Sequence, residues 1–532
     1  SMCANTCGGW NTAVGTLAMR YNTTGCFNAA LGYDALACNT TGGCNTAVGA
    51  YALVNNTSGT KNVAVGHRAG CAATTGDNNI GIGYYALQSA VTGDNNVGIG
   101  GCALYCNCTG TNNTATGAWA MRYNTTGCRN ATYGQSAMEK NTTGCWNTAL
   151  GTKSLYCNTT ASENTAVGGC ALFASVTATK NTAVGFASMC SNTSGHRNVA
   201  IGETAMKTNT TGYHNTSIGR SSMLLNTTGN ENTASGTYAL FRNTTAAGNT
   251  TSGKYSMGKN TTGGCNTAHG YYAMHCNTTG ARNTAIGACS LYNSVTGGCN
   301  TAVGYKSMCA NTCGDKNTAS GAYALNYNTT GGNNVAVGFQ ALLCNTVGNH
   351  NVAVGYYALR TNHCGIHNTG SGFYALKENT CGCYNTGVGN YALQYNTEGH
   401  YNTGTGYGAL RAITSGDNNS GFGYGAIYCS TTGCCNTASG MYALRCMTSG
   451  SKNVGIGRAS GGDITTGSCN TIIGTDAEAD CTGAVNRIVI GFGAAGAGDN
   501  QTVIGNGSTT HTKLCGALSK SSGTFIIAHP DP

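Results

Sequence analysis

The sequence predicts an all-β fold, a parallel β-solenoid (β-roll) of about 28 rungs with 17 residues in each rung. The first observation behind this prediction is an asparagine that recurs every 17 residues, 28 times without exception, from Asn11 to Asn470. The second is a glycine that follows each of these asparagines by four residues, from Gly15 to Gly474. The third is a composition of 83 glycines, two prolines and 8% charged residues, which resembles neither collagen nor a charged disordered chain.

Numbered from its asparagine as position 1, the rung has the consensus N-T-A-V-G-x-x-A-L-x-x-N-T-T-G-x-x. Positions 2 and 4 carry threonine or other β-branched residues, and positions 3 and 5 carry alanine or glycine, a period of two that favours a strand. We therefore predict a strand with positions 2 and 4 facing the core and the small residues facing a close neighbour. Position 9, nearly always leucine or methionine, is predicted to supply the other large core residue.

The Asn-Thr-Thr-Gly segment that begins at position 12 is predicted to form a turn, because asparagine bonds its own backbone and glycine adopts positive φ. Asparagines stacked in register at position 1 predict an amide ladder in which each side chain bonds to the next. The alternative is that asparagine serves there only as a turn residue. The predicted structural ladder begins with Asn11, Asn28, Asn45, Asn62 and Asn79, accompanied by Gly15, Gly32 and Gly49.

The repeat predicts three segments: a solenoid over residues 1–474, an irregular solenoid end and connector over 475–516, and the start of a truncated or processed C-terminal segment over 517–532. The glycine spacing supports the first boundary, because Gly491 keeps the 17-residue step whereas Gly505 follows after only 14. The first eight residues match the second half of a rung. We therefore expect the natural chain to begin upstream of Ser1.

The 31 cysteines have two interpretations. Cys364 and Cys381 are 17 residues apart, as are Cys429 and Cys446, so each pair is predicted to stack one rung apart. That spacing, about 4.8 Å, lies within the Cα separation that a disulfide tolerates, and both pairs are possible disulfides. In a reducing compartment the cysteines would instead act as small apolar fillers.

Two clusters are candidates for metal binding. His363, His367 and Cys383 lie in the two rungs of the first cysteine pair and could help to bind a soft metal, with a disulfide or plain packing as the alternative. Asp77 and Asp94 occupy the same position in consecutive rungs and could hold calcium, with a solvated turn as the alternative. Neither cluster matches a known metal motif, so we predict no metal and no cofactor.

The Asn-Thr-Thr triplets at position 12 are also acceptor sequences for N-glycosylation. The alternative is that the triplet occurs for its turn alone. The possible sites, which would line one edge of the solenoid, are Asn22, Asn39, Asn124, Asn141, Asn158, Asn209, Asn226, Asn243, Asn260, Asn277 and Asn328.

Several function classes are disfavoured by the sequence. It contains no serine elbow, no phosphate-binding loop followed by lysine and no metalloprotease helix motif, so we predict no enzyme and no catalytic residue. The net charge of +9 comes from scattered residues without a basic run, which argues against nucleic-acid binding. No stretch approaches the ~18 apolar residues of a membrane span.

The thin core of each rung predicts self-association. Two β-branched residues, one leucine or methionine and some alanines bury little apolar surface against the backbone entropy of 17 ordered residues. Continuous hydrogen bonding between rungs and burial of one face by other copies would both compensate. The small residues at positions 3, 5 and 8 and the tyrosines near positions 6, 7, 10 and 11 favour close lateral packing, as in a side-by-side homotrimer.

The strand segments resemble those of a known family. The segments Asn62–Gly66, Asn351–Gly355 and Asn453–Gly457 resemble the repeats of YadA-like heads of trimeric autotransporter adhesins, three β-rolls packed side by side. The full rung is similar to repeats of viral or phage-type tail-fibre proteins, as are the connector-like residues Ser508–Gly516 and the final segment Ser522–Pro532.

These resemblances imply a non-enzymatic fibre or adhesin on the outside of a cell or on a virion, attached to an unknown surface receptor or glycan. A self-assembling filament that stacks end to end is the alternative from the residues themselves. A third is ice binding through threonine columns at positions 2, 13 and 14, although bulky and charged neighbours interrupt them.

Overall fold

The computed structural model describes residues 2–513, which form two compact units divided between Val347 and Gly348. Each unit is a parallel β-solenoid with repeats of about 17 residues, and the described chain has about 29 such turns and no helix. The predicted fold class is therefore confirmed. The end of the predicted connector, 514–516, and the C-terminal segment 517–532 lie outside the described residues.

Every strand has three residues, at positions 2–4 of its rung. The strands of the first unit are β1 Thr12–Val14, β2 Ala29–Leu31, β3 Thr46–Val48, β4 Val63–Val65, β5 Ile80–Ile82, β6 Val97–Ile99, β7 Thr114–Thr116, β8 Ala131–Tyr133, β9 Thr148–Leu150, β10 Thr165–Val167, β11 Thr182–Val184, β12 Val199–Ile201, β13 Thr216–Ile218, β14 Thr233–Ser235, β15 Thr250–Ser252, β16 Thr267–His269, β17 Thr284–Ile286, β18 Thr301–Val303, β19 Thr318–Ser320 and β20 Val335–Val337. Those of the second unit are β21 Val352–Val354, β22 Thr369–Ser371, β23 Thr386–Val388, β24 Thr403–Thr405, β25 Ser420–Phe422, β26 Thr437–Ser439, β27 Val454–Ile456, β28 Thr471–Ile473, β29 Ile488–Ile490 and β30 Thr502–Ile504.

Within each unit, successive strands pair in parallel and in register. Thr216 of β13, for example, lies opposite Thr233 of β14, 17 residues later. Only the last pairing has a shorter step, since Ile488 of β29 lies opposite Thr502 of β30. The turns are bonded between rungs as well: the Thr227 N–H donates to the Thr244 carbonyl at 2.9 Å. Backbone hydrogen bonding therefore continues around most of each rung, as the thin core requires.

The core is built from position 3, position 8 and position 9. Met206, Met223 and Leu240 at position 9 are fully buried, as are alanines at position 8 such as Ala205 and Ala239. This confirms the prediction for position 9. Each rung thus contributes one large apolar side chain and small residues around it.

The prediction that positions 2 and 4 face the core is wrong. In the strands the middle residue is buried, as Ala200 and Ala234 are, whereas Ile201 and Ile218 at position 4 are 40% and 43% exposed. The physical reason is the narrow interior of the rung. A Cβ at the position-3 glycine Gly387 would lie 3.2 Å from the Leu376 side chain of the preceding rung, so only a small residue fits there.

The two glycines of the rung have different roles. At position 5 the backbone has positive φ, +123° at Gly219, and an added Cβ would lie 2.7 Å from the Gly236 carbonyl carbon of the next rung. The position-15 glycines, such as Gly25, do not have positive φ, contrary to the prediction. Position 15 instead brings the backbone close to the next rung, and some rungs accommodate alanine there, as at Ala161.

Three further positions adopt the left-handed conformation without glycine. Position 7, position 9 and position 17 have φ near +50° to +60°, as at Tyr238 (55°), Leu240 (51°) and Lys180 (60°). Such values are uncommon for residues with a Cβ and are maintained here by the inter-rung bonds on both sides. The sequence shows no signal for them, because bulky residues occupy these positions.

An ion pair marks the irregular end of the second unit. The Arg487 guanidinium, which is buried, donates to Asp499 Oδ1 through Nε at 3.0 Å, and the Val485 N–H donates to the same oxygen at 2.9 Å. The Val485 N–H and the Arg487 side chain hold the pKa of Asp499 below its usual range. Arg487 stands where earlier rungs have the position-1 asparagine, and its N–H donates to Asn470 Oδ1 at 2.9 Å.

We expect acid to open this end of the solenoid selectively. A carboxyl whose folded pKa is depressed stabilises the fold fully above its unfolded pKa of about 3.9, and loses that contribution as the pH falls through the folded value. Hydrogen exchange, corrected for intrinsic rates, should therefore rise below about pH 4 in peptides covering 485–504 more than in peptides covering 199–240. The D499N variant should show the faster exchange at neutral pH as well. Equal acid sensitivity in wild type and D499N would contradict this role.

Candidate functional site

One regular surface is the strand face, which we define as the side chains at positions 2 and 4 of β1–β30. It presents threonine or valine in one column and mainly valine, isoleucine or leucine in the other. None of these thirty strands contains Asp, Glu, Lys or Arg, and His269 is the sole histidine. Many of the position-4 side chains are exposed, including Ile286 at 42% and Ile456 at 42%. The strand face is therefore an uncharged stripe on each unit, in which apolar side chains are mixed with threonine and serine.

The position-1 asparagines form a ladder along each unit. Asn232 shows the pattern: its Nδ2 donates to the Ala246 carbonyl at 2.8 Å, and its Oδ1 accepts the Asn249 backbone N–H at 3.0 Å. The same arrangement begins at Asn11, whose Oδ1 accepts the Asn28 N–H at 2.9 Å. Direct amide-to-amide bonds are longer, about 3.2 Å between Asn249 Nδ2 and Asn232 Oδ1. The ladder thus bonds mainly side chain to backbone, which the predicted amide ladder did not include.

A second ladder, at position 12, bonds amide to amide. Asn226 Nδ2 donates to Asn209 Oδ1 at 2.8 Å and to the Gly229 carbonyl of its own turn at 3.0 Å. The column is interrupted where the next rung has alanine or serine. At these ends, among the described residues, the buried Oδ1 atoms of Asn56, Asn158 and Asn277 have no hydrogen-bond partner.

The possible glycosylation sites are these same position-12 asparagines. The structure buries all of them completely, and their Nδ2 atoms donate to a turn carbonyl and, inside the ladder, to the neighbouring amide. A glycan on Nδ2 would have to leave the interior of the rung, so glycosylation of the folded chain is incompatible with this arrangement. The triplet is explained by its turn and its ladder. The sites corrected in this way are Asn22, Asn39, Asn124, Asn141, Asn158, Asn209, Asn226, Asn243, Asn260, Asn277 and Asn328.

Position 16 supplies an acceptor for the backbone of the preceding rung. Asp77 Oδ1 accepts the Thr60 N–H at 2.6 Å, and Asp94 Oδ1 accepts the Asp77 N–H at 2.8 Å. Serine does the same at Ser162, whose Oγ accepts the Cys145 N–H at 3.0 Å. The stacked carboxylates are therefore explained by backbone capping, and the calcium hypothesis has no support here. Sequence reasoning missed this column because its residue types vary.

The cysteine pairs differ from one another. Cys364 and Cys381 form a disulfide across one rung step, with their Cα atoms 5.0 Å apart. Cys429 and Cys446 are free thiols, and burial raises the pKa of Cys429.

Sequence reasoning missed a further pair with the same 17-residue spacing. The Sγ atoms of Cys128 and Cys145, both at position 16, lie 2.8 Å apart as free thiols. This contact, more than burial, raises the pKa of Cys128.

The soft-metal hypothesis does not fit the structure. Two of the cysteines in that cluster are consumed by the disulfide, and the His367 ring is stacked between His350 at 4.8 Å and Tyr384 at 4.9 Å. Cys383 is on the position-16 column, where its Sγ accepts the Ile366 N–H at 3.4 Å. His363 lies on the turn, at position 13, whereas the stacked rings of His350, His367 and Tyr384 are at position 17. Among residues 2–513 no group of three or more His, Cys, Asp or Glu side chains is arranged to hold a metal ion.

Tyrosines and arginines cluster on the surface formed by positions 6 to 11. In the second unit, Tyr407 and Tyr424 stack with ring centroids 4.9 Å apart, and Tyr424 meets Tyr442 edge to face at 5.2 Å. The hydrogen bond with Tyr442 raises the pKa of Tyr424. The Arg445 guanidinium lies over the Tyr442 ring, 4.6 Å from its centroid. We call this group, together with Tyr428, the tyrosine pocket; it surrounds a hollow of about 170 Å³.

Comparisons with known proteins add no identification. No protein-family model matches the chain, and no curated protein matches it either. In the part of the chain that the structure describes, no helix has the length and apolar character needed to cross a membrane. The function is therefore argued from the surfaces alone.

Proposed function

We propose that the protein is a non-enzymatic surface fibre, a structural shaft or head on the outside of a cell or virion, whose copies associate side by side as a homotrimer. In this role it mediates attachment to a host or partner surface. The observation that carries the proposal is the strand face, an uncharged stripe along each solenoid unit. Exposed apolar side chains that lie next to one another in columns are typical of interaction surfaces.

The irregularities of the strand face favour a second copy of the same chain as the partner. Most strands have a valine, isoleucine or leucine at position 4, but β8 has Tyr133, β16 has His269 and β25 has Phe422. When identical chains pack in parallel register, each bulky residue meets the same residue of its neighbours, so packing adjusts rung by rung. A partner without this repeat would have no matching variation. Burial at roughly 25 cal/mol per Å² of apolar surface then supplies stability that the thin core lacks.

The interior supports the non-enzymatic part of the proposal. The buried polar groups that recur along the chain, the position-1 asparagines and the asparagines found at position 12 in most rungs, are used in hydrogen bonds between and within rungs. They are structural groups repeated along the chain, whereas a catalytic site needs a non-repeated constellation.

Ice binding is a second candidate, favoured by one observation. The position-2 threonines, expected in the core, are instead partly exposed in a column on the strand face. The position-13 threonines are less suited, because their hydroxyls donate to the backbone of the next rung, as Thr227 Oγ1 does to the Thr244 carbonyl at 3.1 Å. Thermal hysteresis of the purified chain would support ice binding, and its absence would leave the fibre proposal.

Negative-stain microscopy of the full chain tests the fibre proposal against an end-to-end filament. Discrete particles of uniform size, each containing three chains, are the expected result. Filaments that lengthen with protein concentration would overturn the trimer in favour of stacking through the strand edges at the ends.

Charge on the strand face should dissociate the assembly. The double variant I201K/I218K places two lysines per chain on adjacent strands β12 and β13, where like charges from three copies would meet. We expect its dissociation constants to rise at least tenfold in sedimentation equilibrium. The matched control T211K/T228K carries the same charges on exposed position-14 residues of the same rungs and should associate as wild type does. Unchanged association of I201K/I218K would contradict the assignment of this face.

A further inference from the structure

We infer that the tyrosine pocket of the second unit is a binding site for an anionic saccharide, one sugar residue bearing a carboxylate or sulfate. The inference rests on the proposed attachment function and names the ligand class through which it would operate.

Two successive glycines at position 7 lie beside the pocket. Tyrosine is the residue found most often at this position, for example at Tyr391 and Tyr442, but Gly408 and Gly425 occupy it in the two rungs between them. Both glycines have φ of +60°, close to the values of the tyrosines they replace. The glycines let the rings come close, since a Cβ on Gly408 would lie 3.0 Å from Cε2 of the Tyr428 ring and one on Gly425 would lie 2.7 Å from Cδ1 of the Tyr442 ring.

The walls present ring edges and hydrogen-bonding groups, with the ring faces already engaged. Tyr407 and Tyr424 stack on each other, and Arg445 covers the face of Tyr442. Arg411 donates to the Tyr428 hydroxyl and, through Nε, to Gln394 Oε1 at 2.9 Å. A nucleobase, which binds by stacking on an open ring face, therefore fits this pocket poorly. A ligand rich in hydroxyl groups can bond to phenols and guanidinium groups while its C–H surface contacts the ring edges.

The charge of the pocket selects an anion. Across positions 6 to 11 of the four rungs from Asn390 to Cys446, the charged residues are Arg411 and Arg445, with no carboxylate among them. Guanidinium groups pair with carboxylate and with sulfate-like oxyanions by two parallel hydrogen bonds. The hollow is smaller than the roughly 300–1,000 Å³ clefts that hold drug-sized ligands, which fits a single sugar residue.

The test is saturation-transfer NMR and titration of the full chain with glucuronate, glucose 6-sulfate, glucose and uridine monophosphate. We expect glucuronate or the sulfate to bind with a Kd on the order of 1 mM, and glucose at least tenfold more weakly. The anion with the lower Kd shows whether the pocket prefers a carboxylate or a sulfate. Binding of uridine monophosphate as tight as that of either sugar anion, or equal binding of glucose, would overturn the inference.

Two variants assign the site. G425Y places the common tyrosine at position 7, where its Cβ would displace the Tyr442 ring of the pocket, and should reduce binding at least tenfold. R445Q should make the Kd of the charged sugars similar to that of glucose. It also tests the site if G425Y folds poorly. The control R282Q removes an exposed arginine of the first unit and should bind as wild type does. Sedimentation of the same samples tests the two proposals separately. If the chain is a trimer and binds none of the sugars, only the saccharide site is refuted. If it is a monomer and binds them, only the homotrimer is refuted.

Discussion

Replacing Gly219 by alanine is expected to reduce the local free energy of opening by roughly 3–5 kcal/mol, because the residue would combine backbone strain with overlap onto backbone atoms. Gly219 has φ of +123°, a conformation reserved for glycine, and its added Cβ would lie 2.7 Å from the Gly236 carbonyl carbon. Hydrogen exchange of peptides covering 199–240 is the suitable measurement, since opening of a repeat array is local rather than two-state.

The matched control is Gly212→Ala, at position 15 in the neighbouring turn. An added Cβ there would also come close to backbone, 2.5 Å from the Gly229 carbonyl oxygen, but φ is not positive, and other rungs carry alanine at the same position, as at Ala178 and Ala246. We expect this variant to lose less than half as much free energy as Gly219→Ala. Equal losses in the two variants would contradict the distinction drawn between the two glycines.

Replacing Asn232 by alanine is expected to have the second largest effect, roughly 2–4 kcal/mol, because it orphans a buried backbone group. Its Oδ1 accepts the Asn249 N–H at 3.0 Å, and among the described residues that N–H has no other acceptor. The lost bond to the Ala246 carbonyl is less costly, because Asn243 Nδ2 also donates to that oxygen at 3.0 Å. Thermal unfolding together with hydrogen exchange of peptides covering 230–266 measures the effect.

Asn226→Ala is the matched control from the second ladder. Asn226 bonds to amide side chains and to its own turn, so its loss removes bonds without orphaning a backbone N–H. The chain itself has alanine at this position, at Ala73 and Ala90, whereas position 1 is asparagine in all 28 rungs from Asn11 to Asn470. A larger destabilisation by Asn226→Ala than by Asn232→Ala would show that the roles of the two ladders are reversed.

Periodicity alone predicts the parts of this structure that depend on translation along the chain. The 17-residue step, the parallel register and the strand at positions 2–4 follow from repetition, because equivalent residues must stack. The leucine or methionine at position 9 is apolar and large in nearly every rung, so its burial also follows.

Which side of the strand faces inward could not be read from the pattern. A period of two is symmetric with respect to the faces, and size suggested that valine and threonine are inside. The decision depends on the width of the rung, since Leu240 and its equivalents already fill the interior and leave room mainly for small residues opposite, most often alanine or glycine. The tyrosine pocket escaped prediction for a related reason, because it depends on how the rings of successive rungs pack, which the repeat does not specify.

The same correction changes the argument for the trimer. Small residues at position 3 had suggested close approach of another chain, but residues such as Ala200 are buried within their own rung. The exposed position-2 and position-4 columns are the features that favour a trimer. They place apolar and threonine side chains, rather than bare backbone, at the proposed interface.

Sedimentation equilibrium of the purified full chain tests the central claim most directly. A homotrimer of a 53.8 kDa chain predicts a mass of about three times that value, independent of loading concentration in the micromolar range. A single species at 53.8 kDa in wild-type protein would contradict the proposal that the strand face is covered by copies of the same chain.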